Sequence, residues 1–165
     1  MFMSRARKQE GTTFEYDVLV IGTGLAGLHY CHQLLTINPK LQIALISKTD
    51  ATECNTRYAQ GGIAAVMTEE DSIASHIKDT LEAGDGLCHQ PAVEAIIHQA
   101  PQTIKELQEY PLEFTTLANG EYALAQEGGH AHRRILHTGD QTGLSIIKAL
   151  HLSAQGHSNQ LHLLN

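Results

Sequence analysis

Three glycines at a spacing suited to diphosphate binding are the first chemical feature of this sequence. Gly22, Gly24 and Gly27 form a Gly-x-Gly-x-x-Gly pattern between an apolar run at 16–21 and an amphipathic run at 25–36. In such a pattern the first glycine permits a tight turn off a strand. The second lets the backbone approach a pyrophosphate, and the third lets helix and strand pack closely. The N–H groups of the first helical turn lie at the positive end of the helix dipole, where a diphosphate is favoured. A glycine-rich turn without a ligand is the alternative.

A second segment combines a carboxylate, histidines and arginines. Residues 126–137 read QEGGHAHRRILH. The histidines supply no carboxylate partner at a known metal-ligand spacing, so we predict no metal site. Arg133 and Arg134 present planar guanidinium groups that suit carboxylates, which favours a cationic lining for an anionic substrate. A basic surface loop is the remaining alternative.

Composition limits the classes of partner and compartment. The chain has 165 residues and a net charge of −7, so it offers no electrostatic surface for nucleic acid. The three cysteines form no C-x-x-C pair. No run of about 18 apolar residues indicates a membrane span. We therefore expect a reduced, cytoplasmic protein without a nucleic-acid or membrane partner. We also expect residues 1–15 to be a disordered tail rather than a secretory signal.

The elements that position the glycines form a βαβ unit. A buried strand at 16–21, the helix at 25–36 and a second strand at 41–47 have the required length and order. A dinucleotide site often has an acidic residue after the second strand to bind a ribose hydroxyl. Ser47 and Lys48 occupy that place, which disfavours NAD. A hydroxyl and an ammonium group can still bind a ribose or a phosphate oxygen.

The remaining chain predicts packing elements. Asp71-Ser72 is predicted to cap a helix that ends at Gly84 or Gly86. Pro91 begins another helix, which Pro101 should break or kink. The helices are expected to leave their histidines facing solvent or an interface: His76, His89 and His98. Asn119-Gly120 predicts a type I′ hairpin between strands at 112–117 and 121–125. A helix after residue 140 and a strand at 160–164 complete an α/β, Rossmann-like fold.

The motifs, in this order and spacing, resemble the L-aspartate oxidase branch of the succinate dehydrogenase and fumarate reductase flavoprotein family. The matching segments are the glycine pattern, the Ser47-Lys48 strand end, NTRYAQGGIAAV at 55–66 and EGGHAHRRILH at 127–137. The resemblance runs from residue 16 to the last residue. Family members are far longer, so we expect an incomplete FAD-binding fold, the N-terminal part of such a protein, with capping and helical domains absent.

The resemblance implies a non-covalent FAD. The pyrophosphate would lie over the glycine segment, the adenosine near Lys48, and the flavin ring against backbone N–H groups of residues 55–62. Relatives that bond flavin covalently have a histidine where this chain has Asn55, and an amide cannot form that bond. The implied cofactor-binding residues are Gly22, Thr23, Gly24, Leu25, Ala26, Gly27, Ser47, Lys48, Asn55, Thr56, Arg57, Tyr58, Ala59, Gln60, Gly61 and Gly62.

The resemblance also implies substrate contacts at Glu127 and His130. Glu127 matches an acidic residue beside the substrate and would receive the α-ammonium group that succinate lacks. Gln126 departs from the family, where an arginine often precedes this glutamate. The catalytic acid and base are expected beyond Asn165.

The implied reaction is oxidation of L-aspartate to iminoaspartate, with hydride transfer to FAD and reoxidation by oxygen or fumarate. This would be the first step of NAD biosynthesis, with quinolinate synthase consuming the product. The alternatives are a fumarate reductase or succinate dehydrogenase type of flavoprotein, and an inactive dinucleotide-binding fragment. An unfinished sheet would leave unpaired strand edges, which favour self-association.

Overall fold

The computed structural model describes residues 13–164 and divides them between two compact units. Unit 1 contains the described residues through Ala59 and those from Gly143 onward, and unit 2 runs from Gln60 to Thr142. Most of the predicted disordered tail lies outside the described residues, and residues 13–15 have irregular structure. In chain order the elements are β1 (Val18–Ile21), α1 (Leu25–Ile37), β2 (Ile43–Ile46), a 3-10 turn (Asn55–Tyr58), β3 (Ile63–Ala64), α2 (Ile73–Ala83), α3 (Gln90–Leu107), β4 (Ile135–Leu136), α4 (Thr142–Gln155) and β5 (Leu161–Leu164).

Unit 1 is built on a parallel three-stranded sheet in the order β1-β2-β5. Val18 pairs with Ile43, and Ile43 pairs with Leu161. Parallel neighbours need a crossover connection, which α1 supplies between β1 and β2. The predicted βαβ unit and the predicted last strand are therefore confirmed.

The prediction that the first strand is buried was wrong in part. Leu19 is 58% exposed and Ile21 is 82% exposed. The reason is that β1 lies at the edge of the sheet and the described residues cover only one of its faces. The central strand β2 has the continuous burial typical of a parallel sheet, with Ile43, Ala44 and Leu45 all buried.

Helices α1 and α4 supply the rest of the core of unit 1. The amphipathic pattern of α1 buries Leu28, Cys31, His32 and Leu35. Helix α4 buries Ile147 and Leu150, three residues apart on one face. Within residues 13–164, none of the helices has the length and apolarity needed to cross a bilayer.

Unit 2 contains α2 and α3 and a short antiparallel pair, β3 with β4. The Ser72 hydroxyl accepts the Ser75 N–H at 3.1 Å, which confirms the predicted cap of α2. Helix α3 continues through Pro101 to Leu107, so the predicted break does not occur. Burial of Ile97, Ile104 and Leu107 on both sides of the proline stabilises the continuous helix.

The predicted type I′ hairpin was wrong in its turn. Gly120 has a φ of +88°, but Asn119 is not among the described residues with positive φ, as a type I′ turn would require. The Gly120 N–H donates to the Leu117 carbonyl at 2.9 Å, and Leu117 pairs with Glu121. A three-residue loop with a left-handed glycine therefore joins the two segments. They pair through the bridge between Thr116 and Tyr122 and through the Ala123 N–H, which donates to the Thr115 carbonyl at 2.9 Å.

Candidate functional site

The glycine turn has the geometry that its spacing predicted. Gly22 has a φ of +106°, a conformation that side chains disfavour, and its N–H donates to the Ile46 carbonyl at 2.9 Å. A Cβ atom on Gly27 would overlap the Gly22 carbonyl oxygen. The first glycine therefore makes the turn off β1, and the third permits α1 to pack against it.

The N-terminus of α1 fits an anion. The Leu28 N–H makes the first intrahelical bond, to the Gly24 carbonyl at 3.0 Å, so the amides of residues 24–27 precede the helical ladder. Gly24 supplies no side-chain cap, and the first turn carries no acidic residue. The positive end of the helix dipole is thus left without a compensating carboxylate, as a diphosphate site requires.

Ser47 and Lys48 lie at the same edge of the sheet as the glycine turn. They follow β2, whose last residue, Ile46, accepts the Gly22 N–H. The Ser47 hydroxyl is buried and lies 3.4 Å from both the Asp50 carbonyl oxygen and the Thr49 amide nitrogen. Lys48 is exposed, so of this pair the ammonium group is the one presented to solvent at that edge.

The 3-10 turn at the start of the 55–62 segment lies beside the glycine turn. Thr56 Oγ1 accepts the Leu25 N–H at 3.2 Å. Arg57 Nη1 donates to Thr52 Oγ1 at 3.1 Å, and the Tyr58 hydroxyl donates to the Glu53 carboxylate. The structure therefore brings two of the segments predicted to bind one cofactor together within unit 1.

In unit 2, the two adjacent glycines have different environments. A Cβ on Gly62 would overlap the Leu136 carbonyl oxygen, so glycine is needed for β3 to approach β4. A Cβ on Gly61 would lie 3.7 Å from Glu127 Oε1. The end of the flavin-ring segment predicted from the sequence is thus adjacent to the predicted substrate carboxylate, and Gln60 beside it is exposed.

Residues 127–131 form a tight loop that carries both predicted substrate residues. The His130 N–H donates to the Glu127 carbonyl at 3.2 Å, and Gly129 has a φ of +87°. Gln126 Nε2 donates to the His130 carbonyl at 2.6 Å. Glu127 is exposed and His130 is half-buried, so the loop presents the carboxylate outward.

Arg134 does not line a substrate site, contrary to the prediction. Its side chain is 0% exposed and forms a bidentate pair with Asp71, at 2.8 and 2.9 Å. Its Nη1 donates to Asp79 Oδ2 at 2.8 Å, and the same oxygen accepts the Ala131 N–H at 2.7 Å. The Ala131 amide first, and Arg134 after it, lower the pKa of Asp79. The guanidinium is fully used inside the protein and anchors the loop to α2.

The two carboxylates of this network were missed by sequence reasoning. Asp71 was read as a helix-capping residue and Asp79 was not considered. Asp71 lies before the N-cap of α2 and Asp79 lies within the helix, so no helical spacing linked these two carboxylates to each other or to Arg134.

His76 was predicted to face solvent or an interface, and the structure buries it. Its ring is 6% exposed and stands edge-on to His130, with centroids 6.2 Å apart. Burial, and then the charge of Arg134, lower the pKa of His76. His89 and His98 are exposed, as expected. The neutral form of His76 is therefore favoured behind the Glu127 loop.

Arg133 has the exposed position that Arg134 lacks. With His132 and His137 it lines a cleft of about 700 Å³ in unit 2, beside apolar residues of the Leu117 to Ala125 segment. Its Nη1 donates to the Leu124 carbonyl at 3.3 Å. Across residues 13–164, no group of three or more histidine, cysteine or acidic side chains is arranged to hold a metal ion.

Comparison with known proteins identifies a family and similar sequences. The FAD binding domain family matches residues 17–164. An L-aspartate oxidase of Yersinia pestis is 48% identical over 147 residues, covering 87% of this chain and 27% of the relative. A chloroplastic L-aspartate oxidase of Oryza sativa subsp. japonica is 42% identical over 142 residues, covering 86% of this chain and 22% of the relative.

Solved structures of similar fold include a quinol fumarate reductase and an Sdh1 complex. An E. coli quinol fumarate reductase superposes with a TM-score of 0.84 at 30% sequence identity, and the match covers 91% of this chain and 26% of the reductase chain. The Sdh1 complex of Mycobacterium smegmatis superposes with a TM-score of 0.79 at 30% sequence identity, and the match covers 90% of this chain and 27% of the matched Sdh1 chain. The chain thus spans about a quarter of the length of these proteins.

Proposed function

This chain belongs to the FAD binding domain family, and on that premise we propose that it binds FAD non-covalently, with the pyrophosphate against residues 22–27. The observation that carries this proposal is the acid-free N-terminus of α1, to which Gly24 supplies no side-chain cap, directly behind the left-handed turn at Gly22. Amides at such a terminus bind a diphosphate through hydrogen bonds and the helix dipole. The exposed Lys48 at the same sheet edge suits the adenosine side.

We assign the flavin ring to residues 55–62. The 3-10 turn is held beside the glycine turn by Thr56, and it carries Asn55 at the position where covalent relatives have histidine. The amide of Asn55 cannot form the covalent bond that this histidine makes to the flavin, so the ring would be held by non-covalent contacts. Backbone N–H donors at the ring edge would stabilise the negative charge that develops on reduction.

For the whole polypeptide of which this chain would be the first part, we propose L-aspartate oxidation to iminoaspartate. When bound, FAD would supply the hydride acceptor for oxidation at the aspartate Cα, and oxygen or fumarate would take up the electrons. Glu127 would bind the α-ammonium group through a charge-assisted hydrogen bond, and His130 would lie beside it on the same loop. The similarity to L-aspartate oxidases at 42–48% identity supports this substrate.

A fumarate reductase or succinate dehydrogenase activity is the second candidate, because solved structures of that kind share the fold at 30% identity. Asn55 and Glu127 favour the oxidase, since one precludes the covalent flavin bond and the other suits an amino acid rather than a plain dicarboxylate. A functional link to quinolinate synthase would follow from the product. The cytoplasmic location stays a prediction.

The first test is the flavin content of the purified chain. We expect added FAD to co-elute with the protein, with a flavin absorption band, and acid precipitation to release all of it into the supernatant. Flavin retained in the pellet would contradict non-covalent binding. A chain that is colourless after excess FAD has been removed would favour the inactive-fragment alternative. A dimer in the same sample would support self-association through the open sheet edge.

The second test addresses the substrate, with the chain extended to the length of its relatives. A Glu127→Gln variant should raise the KM for L-aspartate by about tenfold and the KM for fumarate much less, because fumarate has no ammonium group. Glu113→Gln is the matched control, since it makes the same change at an exposed carboxylate outside the Glu127 loop. Equal changes for both substrates would remove Glu127 from the ammonium-binding role.

A further inference from the structure

The 3-10 turn is held between the N-termini of two helices, and both contacts lie within unit 1. On one side, Thr56 Oγ1 accepts the Leu25 N–H of α1 at 3.2 Å. On the other side, the Gly143 N–H of α4 donates to the Ala59 carbonyl at 2.9 Å. Because the first-turn amides of a helix have no intrahelical partners, each contact satisfies a donor that the helix leaves open.

The absence of a side chain at Gly143 is what permits this arrangement. A Cβ on Gly143 would overlap the Thr56 carbonyl oxygen and lie 2.8 Å from the Ala59 carbonyl oxygen. Gly143 is buried and its backbone is helical, so glycine is required here by close approach and not by an unusual φ. Any larger residue must push the turn away from α4.

Thr56 connects the turn to the phosphate-binding loop. Its hydroxyl occupies the Leu25 N–H, one of the amides that precede the helical ladder, and it lies 3.3 Å from the position a Cβ on Gly24 would take. The remaining first-turn amides keep their place at the positive end of α1. The hydroxyl thus fixes the distance between the loop proposed for the pyrophosphate and the turn proposed for the flavin ring.

We infer that Thr56 and Gly143 are positioning residues that pre-order the 3-10 turn for the flavin ring. Gly143, on α4, thereby joins the cofactor site although it lies outside every segment assigned to it from the sequence. The inference rests on the proposed binding of FAD. Without these contacts the turn must become ordered when the ligand binds. The free-energy cost of that ordering weakens binding of the flavin half of FAD, which contacts the turn.

Comparing FAD with ADP separates this role from a general structural one. ADP carries the diphosphate and adenosine but no flavin ring, so it reports on the glycine loop alone. Thr56→Val keeps the shape of the side chain and removes the acceptor. We expect it to raise the Kd for FAD about three- to tenfold, the value of one hydrogen bond, and the Kd for ADP less than twofold. Gly143→Ala should likewise raise the Kd for FAD more than the Kd for ADP.

Two controls fix the interpretation, and circular dichroism checks that each variant is folded. Thr56→Ser restores the hydroxyl and should remain within about twofold of the unmodified chain for both ligands. Thr36→Val makes the same change at the other end of α1, where the hydroxyl donates to the His32 carbonyl, and should leave the ratio of the two affinities unchanged. If Gly143→Ala does not fold, the comparison of Thr56→Val with Thr56→Ser tests the inference by itself.

The outcomes are distinguishable. A loss confined to FAD supports the inference. Equal weakening of FAD and ADP by Thr56→Val, or no weakening of either, overturns it while leaving the proposed FAD binding intact. An unmodified chain that binds ADP but not FAD would contradict the proposed function, and the positioning role with it.

Discussion

The 3-10 turn of unit 1 and the Glu127 loop of unit 2 are both anchored from a helix, but by different kinds of interaction. Neutral hydrogen bonds hold the turn, from Leu25 to Thr56 and from Gly143 to Ala59. Buried charges hold the loop, through Arg134, Asp71 and Asp79. A neutral bond contributes about 1 kcal/mol net, whereas a charge left unpaired in the interior costs several times more.

The contacts of the 3-10 turn can therefore be weakened one at a time, whereas the buried charges that hold the Glu127 loop must remain paired. Removing one neutral contact at the turn should loosen it while the unit stays folded. Removing the guanidinium from unit 2 leaves two carboxylates, 1% and 9% exposed, without their counter-charge. We therefore expect the Glu127 loop to tolerate change far less than the 3-10 turn.

The largest effect is expected at Arg134. Arg134→Met should lower the free energy of unfolding by about 3–5 kcal/mol, because it leaves buried carboxylates unpaired. Urea denaturation followed by circular dichroism measures the change. Arg133→Met is the matched control, and its exposed side chain should cost no more than about 0.5 kcal/mol. Similar costs for the two variants would show that the buried network does not anchor unit 2.

Steric overlap at Gly27 is expected to give the next largest effect, and it tests the unit 1 side of the comparison. A Cβ there meets the Gly22 carbonyl oxygen, so Gly27→Ala must move α1 off the turn. We expect a loss of about 1–3 kcal/mol in unfolding and at least a tenfold rise in the Kd for FAD. Gly128→Ala, where nothing lies within 4 Å, should change neither. FAD binding unaffected by Gly27→Ala would argue against the pyrophosphate position.

The contrast between the two regions also explains what the sequence could reveal. The glycine turn, its strand and its helix depend on neighbours within a few residues, so their pattern predicted the βαβ unit, the turn at Gly22 and the close packing at Gly27. The cap at Ser72 was local in the same way. Arg134 has partners 63 and 55 residues away in the chain, and no local pattern distinguishes a buried arginine from the exposed one beside it.

Other errors share that cause. A break at Pro101 was one expectation for α3, yet burial of its neighbours keeps the helix continuous, and that burial depends on packing against α2. The contact of Gly143 with the turn likewise joins residues more than 80 positions apart. The exposure of Ile21 depends on the position of β1 at the sheet edge, which the apolar pattern of the strand does not encode.

A pH-dependent effect of intermediate size is expected in unit 1 at His32. Burial lowers the pKa of His32 below its ordinary value of 6.5, the Leu150 carbonyl partly offsets this, and His157, His29 and His151 lower it further. Since the unfolded chain takes up the proton first, this contribution to stability is complete above pH 6.5. It is lost as the pH falls from 6.5 toward the lower folded-state pKa.

Urea midpoints between pH 8 and pH 5 measure this dependence. His32→Gln keeps a donor for the Leu150 carbonyl, which lies 3.2 Å from His32 Nε2, and should flatten the slope below pH 6.5. His98→Gln, at an exposed histidine, should leave the slope unchanged. Identical slopes in all three proteins would assign the pH dependence to other groups.

The smallest effect is expected at the other ion pair of α2, which sharpens the comparison within one helix. Lys78 Nζ lies 3.7 Å from Glu82 Oε1, and the two side chains are 72% and 67% exposed. Water already solvates both charges, so Lys78→Met should change the free energy of unfolding by less than about 0.5 kcal/mol, and added salt should erase the difference. Arg134→Met should remain destabilising at the same salt concentration, because its carboxylates are shielded from ions as well as from water. A salt-insensitive loss of 1 kcal/mol or more at Lys78 would mean that burial does not separate the two pairs.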